Sequence, residues 1–159
     1  MQITILSVGK IKERFYTDAI QEYRKRMSRY AKVDIIEVSD EKTPDRASEA
    51  EETEIKRKEG ERLLFKMKEN MYVIALDLSG AEYDSLTFAD HLADCMLKGK
   101  SHIVFVIGGS LGLHNDVLTR ADEKLSFSKF TFPHQLMRVI LLEQLYRAER
   151  ICAGEKYHK

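Results

Sequence analysis

Residues 103–107 form an unbroken apolar run, Ile-Val-Phe-Val-Ile, that leads directly into Gly108, Gly109, Ser110, Leu111 and Gly112. Three glycines in five positions let a main chain approach a ligand closely or take positive φ, where a side chain would clash. In open α/β sheets ligands sit outside the carboxyl ends of the strands, so residues 108–112 are the first candidate site. Two histidines flank candidate loops, His114 just after the glycines and His134 just after Pro133. His91 and His102 read as locally satisfied groups. His158 belongs to a short tail, Glu155-Lys156-Tyr157-His158-Lys159, that brings an aromatic ring, an imidazole and two lysines together. Such tails are usually disordered, but this one carries the groups needed to close over an active site.

Other chemistries find less support. Gly99-Lys100-Ser101 mimics the end of a phosphate loop, yet it precedes its strand, and Asp94 stands where the first glycine belongs. The Gly-Gly-x-x-Gly cluster is only loosely a dinucleotide turn and lies late in the chain. A nicotinamide enzyme wants glycines after the first strand, where Val8-Gly9-Lys10-Ile11 supplies one, and Glu37 or Asp40 fits an exposed edge as well as a ribose. No Ser/His/Asp order or His/Cys cluster suggests a hydrolase or a metal site. Cys95 and Cys152 lie in apolar helical patterns without metal-ligand spacing, which predicts buried free thiols in a reducing compartment.

The elements that must position these residues follow from periodicity. Strands are predicted at 3–8, 33–38, 72–76, 102–107 and 125–127, and helices at 15–30, 47–67, 85–97, 113–120 and 133–151. The first helix places Phe15, Ala19, Tyr23 and Met27 on one stripe, with Arg24, Lys25, Arg26 and Arg29 around it. Residues 77–80 read as a turn at the carboxyl edge of the third strand. Strands alternating with helices define an α/β domain with a mostly parallel sheet and flanking helices, here a single domain over 1–159. On the last helix Leu136, Val139, Ile140 and Glu143 occupy one side and Met137, Leu141, Leu145 and Ile151 another, a largely apolar surface on two sides. That is wider than one sheet contact needs, and a homodimer through this helix is the natural inference, with deep burial as the alternative.

The chain has 26 Lys and Arg and 26 Asp and Glu, so net charge favours no partner. Their distribution does: residues 1–32 carry eight basic side chains against three acidic, and residues 129–159 six against three. Folded together, the two ends make a cationic face, although solvated helix surfaces often have the same composition. No stretch approaches the ~18 apolar residues of a membrane span and the first residues lack a charged leader, so a cytoplasmic location with no membrane partner is expected.

Several motifs taken in order resemble a known family. They are Ile74-Ala75-Leu76-Asp77 with Gly80, Val106 to Gly112, Leu125-Ser126-Phe127-Ser128, Phe132-Pro133-His134-Gln135-Leu136 with Arg138, Glu143-Gln144 with Tyr146-Arg147-Ala148, and Tyr157-His158-Lys159. Over essentially the full length they are similar to the RlmH-type SPOUT methyltransferases, which methylate N3 of a pseudouridine in large-subunit ribosomal RNA. The resemblance implies a C-terminal trefoil knot, an exception to the usual absence of knots. It also implies an S-adenosylmethionine pocket lined by Leu76, Gly108, Phe127, Ser128, Lys129, Phe130, Thr131 and Phe132. A homodimer completing each site across its interface, and the assembled ribosome as substrate, are implied too. Losing the imide proton needs modest base help and no metal. His158 is the preferred acceptor and His134 the other, because histidine titrates near neutrality. Tyr157 would then position the base. Lys159, Arg138, Lys10 and Arg24 are the expected RNA contacts, Arg138 with a contact to the partner chain as the other reading and a structural role as an equal alternative. Relatives often carry Arg where this chain ends in Lys159, which keeps the charge and loses the planar fork. The alternatives are a SPOUT enzyme acting on transfer RNA and a non-catalytic ribosome-binding module.

Overall fold

The computed structural model describes residues 1–159. Its elements alternate as the sequence predicts: β1 (Gln2–Val8), α1 (Arg14–Met27), β2 (Lys32–Val38), α2 (Glu49–Phe65), β3 (Tyr72–Glu82), α3 (Ser85–Leu97), β4 (His102–Ile107), α4 (Asn115–Arg120), β5 (Glu123–Ser126) and α5 (His134–Cys152). All five strands pair in parallel in the order β2-β1-β4-β3-β5. The two most continuously buried strands, β1 and β4, lie side by side inside the sheet, where both faces are covered.

Alternation along these strands divides the core. Ile3, Ile5, Ile103, Phe105 and Ile107 face α1, α3 and α5. Leu6, Val8, Val104 and Val106 face α2 and α4. Three helix starts have side-chain caps that satisfy otherwise unpaired N–H groups: Ser48 and Glu51 form a capping box on α2, Asp84 accepts from Thr87 N on α3, and His114 Nδ1 accepts from Asp116 N on α4.

Four expectations change. The stretch read as a turn after Leu76 rejoins the sheet: β3 breaks register between Leu76 and Ala81, then pairs Ala81 with Leu125 and Glu82 with Ser126. Gly80 permits this re-entry, since a Cβ there would lie 2.5 Å from Leu125 N. On α1 the buried residues are Ile20 and Met27, while Phe15 is exposed. Cys95 is buried as predicted, but Cys152 is exposed because it ends α5 in the last turn, from which its thiol points to the Ala89 carbonyl. On α5 both apolar sides are real but unequal: Met137, Leu141, Leu142, Leu145 and Ala148 are buried, and Leu136, Val139 and Ile140 remain half-exposed. No helix is long and apolar enough to cross a membrane.

Candidate active site

Beyond the carboxyl ends of β3, β4 and β5 lies a cavity of about 630 Å³. Leu76, Asp77 and Leu78 form one wall, residues 107–113 a second, and the chain following β5 a third, with Lys56 of α2 and Met137 of α5 contributing side chains. The glycine segment is a tight reverse turn in which Gly112 N donates to the Gly109 carbonyl at 3.1 Å. Gly112 sits at φ 87°, a left-handed conformation that strains any residue with a Cβ. A Cβ on Gly108 would stand 2.7 Å from the Gly112 carbonyl carbon. Glycine at both positions therefore keeps the turn closed and its peptide groups bare toward the cavity. Ser128 shapes the opposite wall: its carbonyl accepts from Ser126 Oγ and its Oγ accepts from Phe130 N, each at 3.1 Å. The volume falls within the range of small-molecule sites, and main-chain polar groups alternate with apolar side chains as such sites require.

His134, the first residue of α5, lines this cavity. Burial pushes its pKa down, the Arg138 cation adds to the effect, and the Asp40 carboxylate opposes it. At neutral pH the imidazole is then uncharged and able to accept a proton. One turn further on, Arg138 is fully buried. Its Nη2 donates to the carbonyls of Val8 at 3.0 Å and Gly9 at 2.8 Å, and its Nη1 to Glu37 at 2.5 Å. The expected RNA contact at Arg138 is thus corrected: the guanidinium pins the start of α5 to the end of β1 and reaches no solvent.

The tail is folded back on α5. Tyr157 donates its hydroxyl to Glu143 at 3.2 Å, packs its ring against Tyr146 with centroids 5.0 Å apart, and lies under the Arg147 guanidinium at 4.7 Å. Arg147 in turn donates to Glu143 and to His158 Nδ1, the latter at 3.2 Å. Because a guanidinium only donates, Nδ1 accepts here, and the neutral ring carries its proton on Nε2. None of Tyr157, His158 and Lys159 lines the cavity.

Residues 1–158 match the family described as "Predicted SPOUT methyltransferase". The chain belongs to the SPOUT methyltransferase family. Over 159 residues, 100% of both chains, this SPOUT protein is 63% identical to the ribosomal RNA large subunit methyltransferase H of Clostridium novyi (strain NT). It is 60% identical, with the same coverage, to the protein of that name from Clostridium tetani (strain Massachusetts / E88). Its structure is similar to that of a probable methylase family protein from Haemophilus influenzae Rd KW20, with a TM-score of 0.52 at 13% identity, over 99% of this chain and 70% of that one. The last likeness shows the fold.

Against this SPOUT frame, the predicted pocket residues Leu76, Gly108, Phe127, Ser128, Phe130, Thr131 and Phe132 gather on one cavity, and Lys129 does not. Its side chain is exposed, pointing out of the loop whose neighbours line the wall. Lys10, Arg24 and Lys159 are also exposed and lie away from the cavity. Arg24 spends a donor on the Val33 carbonyl at 3.1 Å, tying α1 to β2. Sequence reasoning gave no site role to Met137, to Lys56 or to the Glu143–Arg147 pair, although Glu143 and Arg147 stand in one of its motifs. The last was findable as an acid and a base four apart on a helix, the spacing of neighbours on one face.

Proposed function

We propose that this SPOUT methyltransferase transfers the methyl group of S-adenosylmethionine to N3 of a pseudouridine in the large-subunit ribosomal RNA of the assembled ribosome. It acts in the cytoplasm as a homodimer. The observation that carries the reading is a glycine-turn cavity of about 630 Å³ in a chain 63% identical, end to end, to a ribosomal RNA large subunit methyltransferase H.

The residues fit the cofactor. The peptides around Gly108 and Gly112 offer unhindered main-chain groups, Leu76, Phe127 and Met137 offer apolar surface to a flat ring, and the volume suits a nucleoside with an amino-acid arm. S-adenosylmethionine supplies an electrophilic methyl on a sulfonium, so the protein's work is orientation and removal of one proton. His134, rather than the His158 preferred from the sequence, is the acceptor for the imide proton, because it stands inside the cavity while His158 lies outside it with Nδ1 bonded to Arg147. Tyr157 and His158, held by Glu143 and Arg147, contribute from the second protomer, where Tyr157 orients the base. Lys159, Lys10 and Arg24 remain exposed cations available to RNA phosphate.

Exposed apolar side chains support the dimer: Leu78, Phe130 and Leu86 are 64%, 79% and 52% accessible, and the outer side of α5 is half-exposed. The knot is supported by the match of residues 1–158 to the SPOUT methyltransferase family.

The test is transfer of labelled methyl to unmodified ribosomes, isolated large subunits and bulk transfer RNA, followed by mapping of the labelled base. Label on a large-subunit pseudouridine is expected. Label on transfer RNA redirects the substrate, and cofactor binding without transfer to any of them indicates a binding module.

A further inference from the structure

Glu59 of α2 is the only buried acid of the chain, 5% exposed, and neither the sequence motifs nor the proposed chemistry uses it. Its Oε2 accepts the main-chain N–H of Glu41 at 3.0 Å, in the loop between β2 and α2. On its other side is the glycine turn: a Cβ on Gly109 would stand 3.2 and 3.4 Å from its two carboxylate oxygens and 3.3 Å from Val8. The carboxylate is therefore wedged between two loops that are remote in sequence, and one of them is a wall of the cavity. Burial raises its pKa. The Glu41 N–H opposes this, Asp40 adds to it, Arg62 opposes it and Glu41 adds to it. A charged group kept in so unfavourable a place needs a compensating role.

The loop it holds also reaches His134. Asp40 lies 3.9 Å from the Cβ position of Gly9, as does His134 Nε2, and Asp40 is the carboxylate that counters the fall in the His134 pKa. Arg62 fixes the same loop from outside, donating to the Ser39 carbonyl at 2.9 Å and pairing with the Glu41 side chain at 3.2 Å, where Lys58 also pairs at 3.7 Å. Behind α2, His114 and Val117 pack on Gly60.

We infer that Glu59 is a positioning residue of the cofactor pocket: by accepting from Glu41 and bearing on Gly109, its carboxylate seats the glycine turn in the shape that receives the methyl donor. This rests on reading the cavity as the S-adenosylmethionine pocket. An oxygen acceptor of the right length is the requirement, so Glu59→Gln preserves the contact and Glu59→Ala removes it.

Steady-state kinetics on ribosomes and calorimetric binding of S-adenosylmethionine test the inference. Glu59→Ala is expected to raise both KM and Kd for S-adenosylmethionine about tenfold while kcat at saturation stays within about twofold. Glu59→Gln is expected to stay near wild type in both. A Glu59→Ala protein that melts earlier but binds the cofactor normally overturns the inference, since Glu59 would then serve stability alone. Equal damage from Gln and Ala also overturns it, because acceptor geometry would not be the cause. If the Ala variant does not fold, Glu59→Asp, one methylene short of Glu41, carries the same expectation and the same refutation. Failure of the wild-type protein to bind S-adenosylmethionine is a separate result and removes the pocket reading itself.

Discussion

Arg138 shows how one side chain can be read two ways until burial decides. In sequence it is a cation beside a candidate loop; in the structure three donated hydrogen bonds hold it to Val8, Gly9 and Glu37 with no exposure. Arg138→Ala leaves the Val8 and Gly9 carbonyls without their buried donor, while Glu37, exposed and still accepting from Ile11 N, keeps its water; a loss of about 3 kcal/mol in denaturant unfolding is expected. Unchanged stability with weakened ribosome binding would restore the RNA role. His134 makes a second prediction. Its folded pKa lies below the ordinary 6.5, so the unfolded chain binds the proton more readily and stability falls as pH drops through and below that value. Glu59 and Glu149, raised by burial, act in the opposite sense: their cost is present above the ordinary carboxylate range and is relieved as pH falls. The difference in melting temperature between wild type and His134→Asn isolates the imidazole. It is expected to move against wild type as pH falls from neutrality through 6.5, and a pH-independent difference would refute the assignment.

At the level of elements, the site is a property of strand ends. The β4 strand stops because its next residues must turn back on themselves, and Gly108 is where the turn has no room for a side chain. Gly108→Ala is expected to force the Gly112 peptide outward and weaken S-adenosylmethionine binding at least about tenfold by calorimetry, a cost of about 1.4 kcal/mol. Affinity preserved in that variant would place the cofactor elsewhere. The register break in β3 is a second device of this kind. A register break after Leu76 lets Asp77 and Leu78 leave the ladder as a cavity wall before Ala81 and Glu82 return to pair with β5, a geometry that a count of apolar residues could not disclose.

For the whole molecule, the tail and the cavity pose a single question. Tyr157 and His158 are tied to α5 through Glu143 and Arg147 and do not line the cavity. If each site is completed by the second copy, deleting Tyr157, His158 and Lys159 abolishes methyl transfer while cofactor affinity stays near wild type. Co-expressing that truncation with Gly108→Ala then restores transfer, since a mixed dimer holds one intact cofactor pocket facing one intact tail. Activity in the truncation alone would remove the tail from the chemistry; loss of cofactor binding would give it a structural role.

How much was legible in the chain follows from the range of the forces involved. The alternation of five strands and five helices, the two-sided apolar last helix and the glycine turn are local, written in periodicity and in conformations that only glycine tolerates without strain. The residues expected at the pocket came from the family resemblance, and seven of the eight, Gly108 among them, line the cavity while Lys129 turns its side chain to solvent. What the tertiary structure alone decided involves pairs distant in sequence: Arg138 with Glu37 and Val8, Glu59 with Glu41 and Gly109, and β3 returning to β5. Whether a charged side chain serves solvent or core depends on how completely its neighbours desolvate it, and those neighbours are brought together only when the sheet closes.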